Sequence, residues 1–322
     1  MVEQSPPDDQ QTVEALDWAA LDRLPEPLMA RVSAARAALR CERLAVAFSG
    51  GVDSAVLLAL AVATLGPERV VAVLGVSDSL APDERTAAHG VAVQIGVVPQ
   101  ELVTREMDNP AYRSNGPDRC YFCKDELFTR MRDEATRLGV DALAYGENAD
   151  DALRPDRPGS RAATEHRVLR PLAEAGMTKA DVREVARALG LRCAEKPAAP
   201  CLASRIPHFS EVLPEKLAAV ARAEEAVRDL GFSDCRVRHH DELARIELPA
   251  DELQRALEGP VREELVARIK ACGFHHVSLD LEGIKSGTFT LTVLGNPAVP
   301  SASSATAAAT TASSLVDGES HD

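Results

Sequence analysis

The stretch Leu44 to Ser54, LAVAFSGGVDS, constrains the fold more than any other part of the 322-residue chain. Leu44 to Phe48 is a short apolar run of the kind a buried parallel strand requires. Ser49-Gly50-Gly51-Val52-Asp53-Ser54 follows, and an apolar helical segment extends from Ala55 to about Leu65. Adjacent glycines at a strand-to-helix turn let a ligand approach the backbone, because no Cβ stands in the way. The free N–H groups and the dipole of the first helical turn favour an anion at that point. Ser49 and Ser54 add hydroxyl donors, so the stretch predicts a phosphate cradle. A Walker loop would carry a lysine directly after its last glycine. Here the loop carries Asp53, an acid suited to a Mg²⁺ ion that bridges phosphate oxygens. The competing reading is a chance Gly-Gly turn.

The flanking pattern predicts α/β architecture. Pro27–Leu39 reads as an amphipathic helix, Arg69–Val76 as a second buried strand, Asp83–Gly96 as a helix and Pro99–Glu106 as a third strand. A loop over Asp108–Gly116 leads into RCYFCK and a helix to about Leu138. Asp141–Gly146 reads as a fourth strand, ending in the polar run Glu147–Asp151. Residues 154–167, rich in Arg, Pro and Gly, read as a flexible loop, and Val168–Leu172 as extended. Thr178 is a plausible N-cap for a helix Lys179–Leu189 that Gly190 stops. This alternation predicts a parallel, doubly wound sheet with helices on both faces. Ligands bind such sheets beyond the carboxyl ends of the strands, where Ser77, Asp150 and Asp151 fall. Cys193–Pro207 reads as a loop over that edge.

Beyond Pro214 the pattern becomes α+β. Helices are expected over Glu215–Leu230, Ala250–Leu257 and Val261–Ala271. Strands are expected over Cys235–His239, Leu243–Leu248, His276–Leu279 and Thr288–Leu291. The expected organisation is a mobile N-terminus (1–20), a nucleotide-binding α/β domain (21–207), a small α+β domain (208–295) and an Ala/Ser/Thr-rich tail (296–322) unable to form a core.

The formal net charge of −14 favours a small-molecule substrate over nucleic acid. No run is apolar enough to span a membrane, and the acidic N-terminus is unlike a signal peptide, which predicts a cytoplasmic protein. Seven cysteines, an odd number, argue against a disulfide framework and for metal binding or reactive thiols. Cys120-x-x-Cys123 puts two thiols within reach of one metal. Cys193 and Cys201 share one loop, and Cys201 stands near Ser204 and Arg205, whose guanidinium favours the thiolate. Three thiolates on an iron–sulfur cube would leave one iron open, which suits sulfur transfer; a zinc or redox site without a role in turnover is the alternative. Cys41, Cys235 and Cys272 read as small apolar residues. Asp150 and Asp151 suit either a helix N-cap or the nucleotide edge, and Lys179 suits either phosphate or solvent.

The loop SGGVDS resembles that of the PP-loop ATP pyrophosphatases, a superfamily that includes NAD synthetase, GMP synthetase and tRNA thiolases. That resemblance implies adenylation of a substrate with loss of pyrophosphate. Taken in order, SGGVDS, RCYFCK, YGENADD, GMTKADVR, PCLASRIP, RVRHHDELARIEL and LEGIKSGTFT resemble the LarE family over about residues 40–291. LarE proteins are sulfur transferases that serve synthesis of the nickel-pincer nucleotide. The resemblance implies that ATP adenylates a carboxylate of a pyridinium biscarboxylate mononucleotide and that protein-held sulfur displaces AMP. In one variant of the family a cysteine gives up its own sulfur and becomes dehydroalanine. In the other, three cysteines bind a [4Fe-4S] cluster carrying an extra sulfide, and Cys120, Cys123 and Cys201 match that variant.

By the same carry-over, Ser49, Gly50, Gly51, Asp53, Ser54, Ser77 and Lys179 bind ATP and Mg²⁺, and Cys201, Asp53 and Arg205 are catalytic. Arg236 and Arg238 alternate on one strand and so share a face, and the resemblance implies that they bind the substrate phosphate, which guanidiniums suit. Ser204, Arg205, Glu224 and Glu247 line the substrate site, although Glu224 also fits an exposed helix position. Other enzymes of the nickel-pincer pathway and further copies of the chain are the implied partners. A tRNA thiolase and a non-enzymatic cluster-binding regulator are the competing functions.

Overall fold

The computed structural model describes residues 15–153 and 158–284. The strand expected at Thr288–Leu291 and the tail from 296 lie outside them. Four parallel strands form the main sheet: β1 (Leu44–Ala47), β2 (Val70–Val76), β3 (Gln100–Val103) and β4 (Ala142–Tyr145), in the order β3-β2-β1-β4. Leu44 pairs with Val70 on one side of β1 and with Ala142 on the other. Successive residues of β1 point to opposite faces. Leu44 and Val46 therefore join one core, and Ala45 joins another.

The first core lies under helices α1 (Glu26–Ala37), α2 (Val52–Leu65) and α3 (Pro82–Ile95), together with Lys179–Leu189. From Val52 to Leu65, α2 buries apolar residues on every side, as expected of a helix that is apolar all round. The opposite core carries α5 (Arg119–Asp133), which follows a single turn, α4 (Pro110–Arg113). A second, three-stranded sheet holds β5 (Arg236–His240), β6 (Leu243–Glu247) and β7 (His276–Leu279), with β5 antiparallel and β7 parallel to β6. Pro214–Asp229 and Gly259–Ala271 cover it around a core of their own.

Several expectations change. Pro158–Glu165, expected within a flexible loop, is a helix. Ala162 and Ala163 are fully buried in the core shared with Phe128 and Met131 of α5, so packing overrides a local composition of Arg, Pro and Gly. Residues 15–20, expected within a mobile N-terminus, are packed: Leu16 and Ala20 are buried, and the Asp17 N–H donates to the Leu189 carbonyl at 3.2 Å. The loop over 193–207 contains a 3₁₀ turn, Leu202–Arg205, and Asp108–Gly116 contains α4. α5 begins at Arg119, so both thiols of Cys120-x-x-Cys123 sit on helix.

The chain runs from β1 through β2 to β3 on one side, then places β4 on the other side of β1. The strand order therefore switches between β1 and β4, and the crevice opens at their carboxyl ends. Two glycines allow close packing there. Gly50 has φ +73°, and a Cβ on it would lie 2.7 Å from Ala88 Cα. A Cβ on Gly146, just past β4, would lie 2.7 Å from the Ser54 nitrogen. Gly66 also has positive φ but faces open space. Gly50→Ala is therefore expected to destabilise the fold by about 2–4 kcal/mol through strain and clash together. Gly66→Ala should cost about 1 kcal/mol from strain alone. Urea unfolding of the two variants measures the difference.

Candidate functional site

The cradle follows β1. Gly51 precedes the first turn of α2 in extended conformation, and Ser49 and Ser54 close the loop with a 3.2 Å contact between their hydroxyls. The Ser54 hydroxyl also donates to the Gly51 carbonyl at 2.9 Å. Asp53 lies in the first turn of α2 and faces across the strand-order switch. Asn148, beyond β4, donates its Nδ2 to Asp53 Oδ1 at 3.0 Å, and Lys179 Nζ pairs with Asp53 Oδ2. Lys179 thus engages the cradle carboxylate, which removes the reading of a merely solvated lysine. Its helix starts with a capping box in which Thr178 and Asp181 satisfy each other's backbone N–H groups.

Asn148 escaped the sequence reading, which weighed the two aspartates that follow it. The structure gives Asn148 the N-cap role, accepting from the Asp151 N–H at 3.0 Å, while Asp150 accepts from the Lys179 N–H at 2.8 Å. An asparagine preceding Ala-Asp-Asp is itself a cap signal. Ser77 lies just past β2, where its hydroxyl accepts from the Ser79 N–H at 3.3 Å.

The thiols occupy the same edge. Cys120 and Cys201 are exposed and Cys123 is half-buried. Burial pushes the Cys123 thiol well up, and nearby Glu106, Cys201 and Cys120 add to the shift, which puts the three sulfurs within electrostatic reach of one another. Arg119 is within electrostatic reach of Cys201 and Cys120, and its Nη1 donates to the Ala203 carbonyl at 2.8 Å. Glu106, also missed from sequence, is 2% exposed, and its Oε2 has no hydrogen-bond partner. Among the described residues, no group of three or more His, Cys, Asp or Glu side chains is arranged to hold a metal ion. Cys193 and Cys235 are buried, and Cys272 is buried at a helix end. Cavities of about 490 and 390 Å³ lie elsewhere, one beside Trp18 and Pro67 and the other beside Arg132 and Leu169.

The remaining candidates form buried ion pairs. Arg205 grips Glu224 through two nitrogens at 2.8 and 3.2 Å. Arg238 grips Glu247 through two at 2.9 Å, and also donates to the Ser204 carbonyl at 2.9 Å. Glu224 is 2% exposed and accepts from the Val237 N–H at 3.0 Å, so the exposed-helix reading falls. Arg236 is different. It donates to the Ala198 carbonyl at 3.1 Å, but its buried Nε has no hydrogen-bond partner among the described residues. Burial lowers the pKa of its guanidinium, and the like charges of Arg205 and Arg238 lower it further.

Two outcomes follow for this region. Glu224→Ala leaves Arg205 buried without its carboxylate and should destabilise the protein by about 3–5 kcal/mol in urea unfolding. Alkylation near neutral pH should label Cys120 and Cys201 and spare Cys235, whose thiol burial pushes from 9.0 up to about 12. A raised thiol pKa favours the folded state only while the thiol is protonated. Its contribution is full below pH 9.0 and is lost as the pH rises toward about 12. Unfolding free energies measured across that window, with Cys235→Ala for comparison, give its size.

Comparison with known proteins agrees with this geometry. The family model described as NAD synthase matches residues 28–136. An uncharacterized protein of Synechocystis sp. is 44% identical over 246 residues, covering 76% of this chain and 91% of its own. The pyridinium-3,5-bisthiocarboxylic acid mononucleotide synthase of Lactiplantibacillus plantarum is 34% identical, covering 76% of this chain and 88% of its own. A tRNA-specific 2-thiouridylase of Geobacter metallireducens is 32% identical, with 48% of this chain and 53% of its own covered. No helix among the described residues is long and apolar enough to cross a membrane. With a Gly-Gly cradle at the strand-order switch and near full-length similarity to the Lactiplantibacillus synthase, the chain belongs to the LarE family of PP-loop enzymes, which use ATP and Mg²⁺ to transfer sulfur.

Proposed function

We propose that the chain adenylates a carboxylate of pyridinium-3,5-biscarboxylic acid mononucleotide and converts it to the thiocarboxylate. A carboxylate oxygen attacks the α-phosphorus, the bond to the β-phosphate oxygen breaks, and pyrophosphate leaves with its electron pair. Sulfur then attacks the acyl carbon, and AMP leaves with the electrons of the C–O bond. The observation that carries this reading is the meeting of a nucleotide cradle and three thiols at one sheet edge, joined where the Leu202 N–H donates to the Ser79 carbonyl at 2.9 Å.

Each group has a task. Ser49, Gly50, Gly51 and Ser54 cradle phosphate, and Ser77 borders the adenine. Asp53 exchanges its contacts with Asn148 and Lys179 for Mg²⁺, and Lys179 turns to the phosphates. Arg236, with an unpartnered Nε and like-charged neighbours, takes the substrate phosphate, which relieves both deficits. Arg238, Glu247, Ser204, Arg205 and Glu224 hold the surrounding wall. Cys120, Cys123 and Cys201 would hold a [4Fe-4S] cluster. The donor type fits it, because cysteine thiolates hold such clusters, and the three side chains, within electrostatic reach of one another, would have to draw together around it from the arrangement described above. When bound, such a group would supply sulfide-level sulfur for the transfer.

Incubation with ATP, Mg²⁺ and the biscarboxylate nucleotide should release AMP and pyrophosphate; ADP and orthophosphate as products would overturn the reading. Asp53→Asn should abolish the release, since the metal loses its carboxylate. Each of Cys120→Ala, Cys123→Ala and Cys201→Ala should lose sulfur transfer and the visible absorption of the reconstituted protein together. Dehydroalanine at Cys201 after one turnover, read by intact mass, would replace the cluster with a sacrificial thiol and leave the ATP step standing.

A further inference from the structure

The nucleotide edge and the Cys201 segment meet at Ser79, whose buried hydroxyl is bonded to that of Tyr112. Ser79, two residues past Ser77, is 4% exposed, and Tyr112 on α4 is 1% exposed. Their hydroxyls meet at 2.6 Å. The backbone of Ser79 works in both directions. Its N–H donates to the Ser77 hydroxyl at 3.3 Å, and its carbonyl accepts the N–H of Leu202, the residue next to Cys201, at 2.9 Å. The ring of Tyr112 packs in one cluster with Leu202, Ala203 and the partly buried Cys123. The phenol is also within electrostatic reach of Cys201 and Cys123, although burial is the main cause of its raised pKa.

Nothing else in the described chain makes this link. Asn115 and Arg119 fasten the same segment, but at its far side: Asn115 Nδ2 donates to the Pro207 carbonyl at 2.7 Å and Arg119 to the Ala203 carbonyl. The Cys201 side chain is exposed, as are residues 197–200, and its backbone is held within the segment by Arg205, whose Nη1 donates to the Pro200 carbonyl and, at 3.4 Å, to that of Cys201. A sulfur that attacks a nucleotide-bound acyl group must be held within a near-attack geometry, and small misplacement costs rate steeply.

We propose that Tyr112 and Ser79 form a positioning clamp that sets the Cys201 segment against the nucleotide end of β2 for the sulfur-transfer step. The proposal rests on the function given above and assigns the pair no part in adenylation. It separates two rates that a merely structural role would move together. Tyr112→Phe keeps the ring and removes only the hydroxyl. It should leave pyrophosphate release within about twofold of wild type and lower thiocarboxylate formed per pyrophosphate released by about tenfold, the loss expected for one buried hydrogen bond, with water taking the acyl group of the remaining adenylate to return the carboxylate and AMP. Ser79→Ala should do the same. The double variant should be no worse than either single change, because the hydroxyls act as one unit.

A second readout needs no bound group and no turnover. In metal-free, reduced protein, amide exchange of a peptide spanning residues 199–206 should speed up about tenfold in Tyr112→Phe, while a peptide spanning 48–56 stays unchanged. Adenylation and sulfur transfer falling in step, an unchanged transfer ratio, additive losses in the double variant, or unaltered exchange at 199–206 would each overturn the clamp. Absence of AMP and pyrophosphate from the wild-type reaction would overturn the underlying function, and the role of the clamp in transfer with it.

Discussion

Asp53 stands where the two halves of the parallel sheet diverge, and its contacts hold the candidate site together. Asn148 reaches it from beyond β4 and Lys179 from the helix that packs on α2. Gly146 makes the approach possible, since any side chain there would strike the Asp53–Ser54 peptide. The acid, the amide and the lysine come from three separate parts of the chain. A carboxylate at a phosphate cradle adds to the negative charge already there, so a cation must stand beside it. Here Lys179 supplies that charge.

The small sheet solves a related problem with a different balance of charge. Arg205 and Arg238 are taken out of water, and each is matched by a carboxylate in two-point contact. Such pairs contribute little net stability but leave one geometry available, because losing either member strands a buried charge. Arg236, within electrostatic reach of both, has among the described residues no ion-pair partner and a buried Nε without a hydrogen bond. Arg228 and Arg245 reach the same two carboxylates, at 3.9 and 3.2 Å, so the charges of this wall form one network.

The thiols, in contrast, gain their proximity only through packing. Cys120 and Cys123 belong to the start of α5, while Cys201 opens a 3₁₀ turn about eighty residues later in the sequence. Asn115 and Arg119 bind that turn by its backbone carbonyls. None of these contacts uses a residue pattern with a period, which is why Asn115, Arg119, Tyr112 and Glu106 were not legible as parts of the site. The helix at Pro158–Glu165 escaped for the same reason: its two fully buried alanines are too short a signal within a polar stretch.

By itself the sequence determined the elements that rest on local physics. Apolar runs of strand length specified β1, β2 and β4. Glycine and proline punctuation specified the turns, and the Gly-Gly pair specified a tight strand-to-helix turn carrying an acid where a Walker loop carries a lysine. Cysteine spacing pointed to thiol chemistry without saying which thiols meet. Tertiary structure alone decided the strand order, and hence that β4 and its asparagine lie beside the cradle. It also decided that Glu224 is a buried partner of Arg205, that Lys179 faces Asp53, and that Arg236 keeps an unsatisfied donor. The division has a physical cause. Backbone conformation follows from a few neighbouring residues, whereas the burial and pairing of a charge depend on groups that folding brings together from distant parts of the chain.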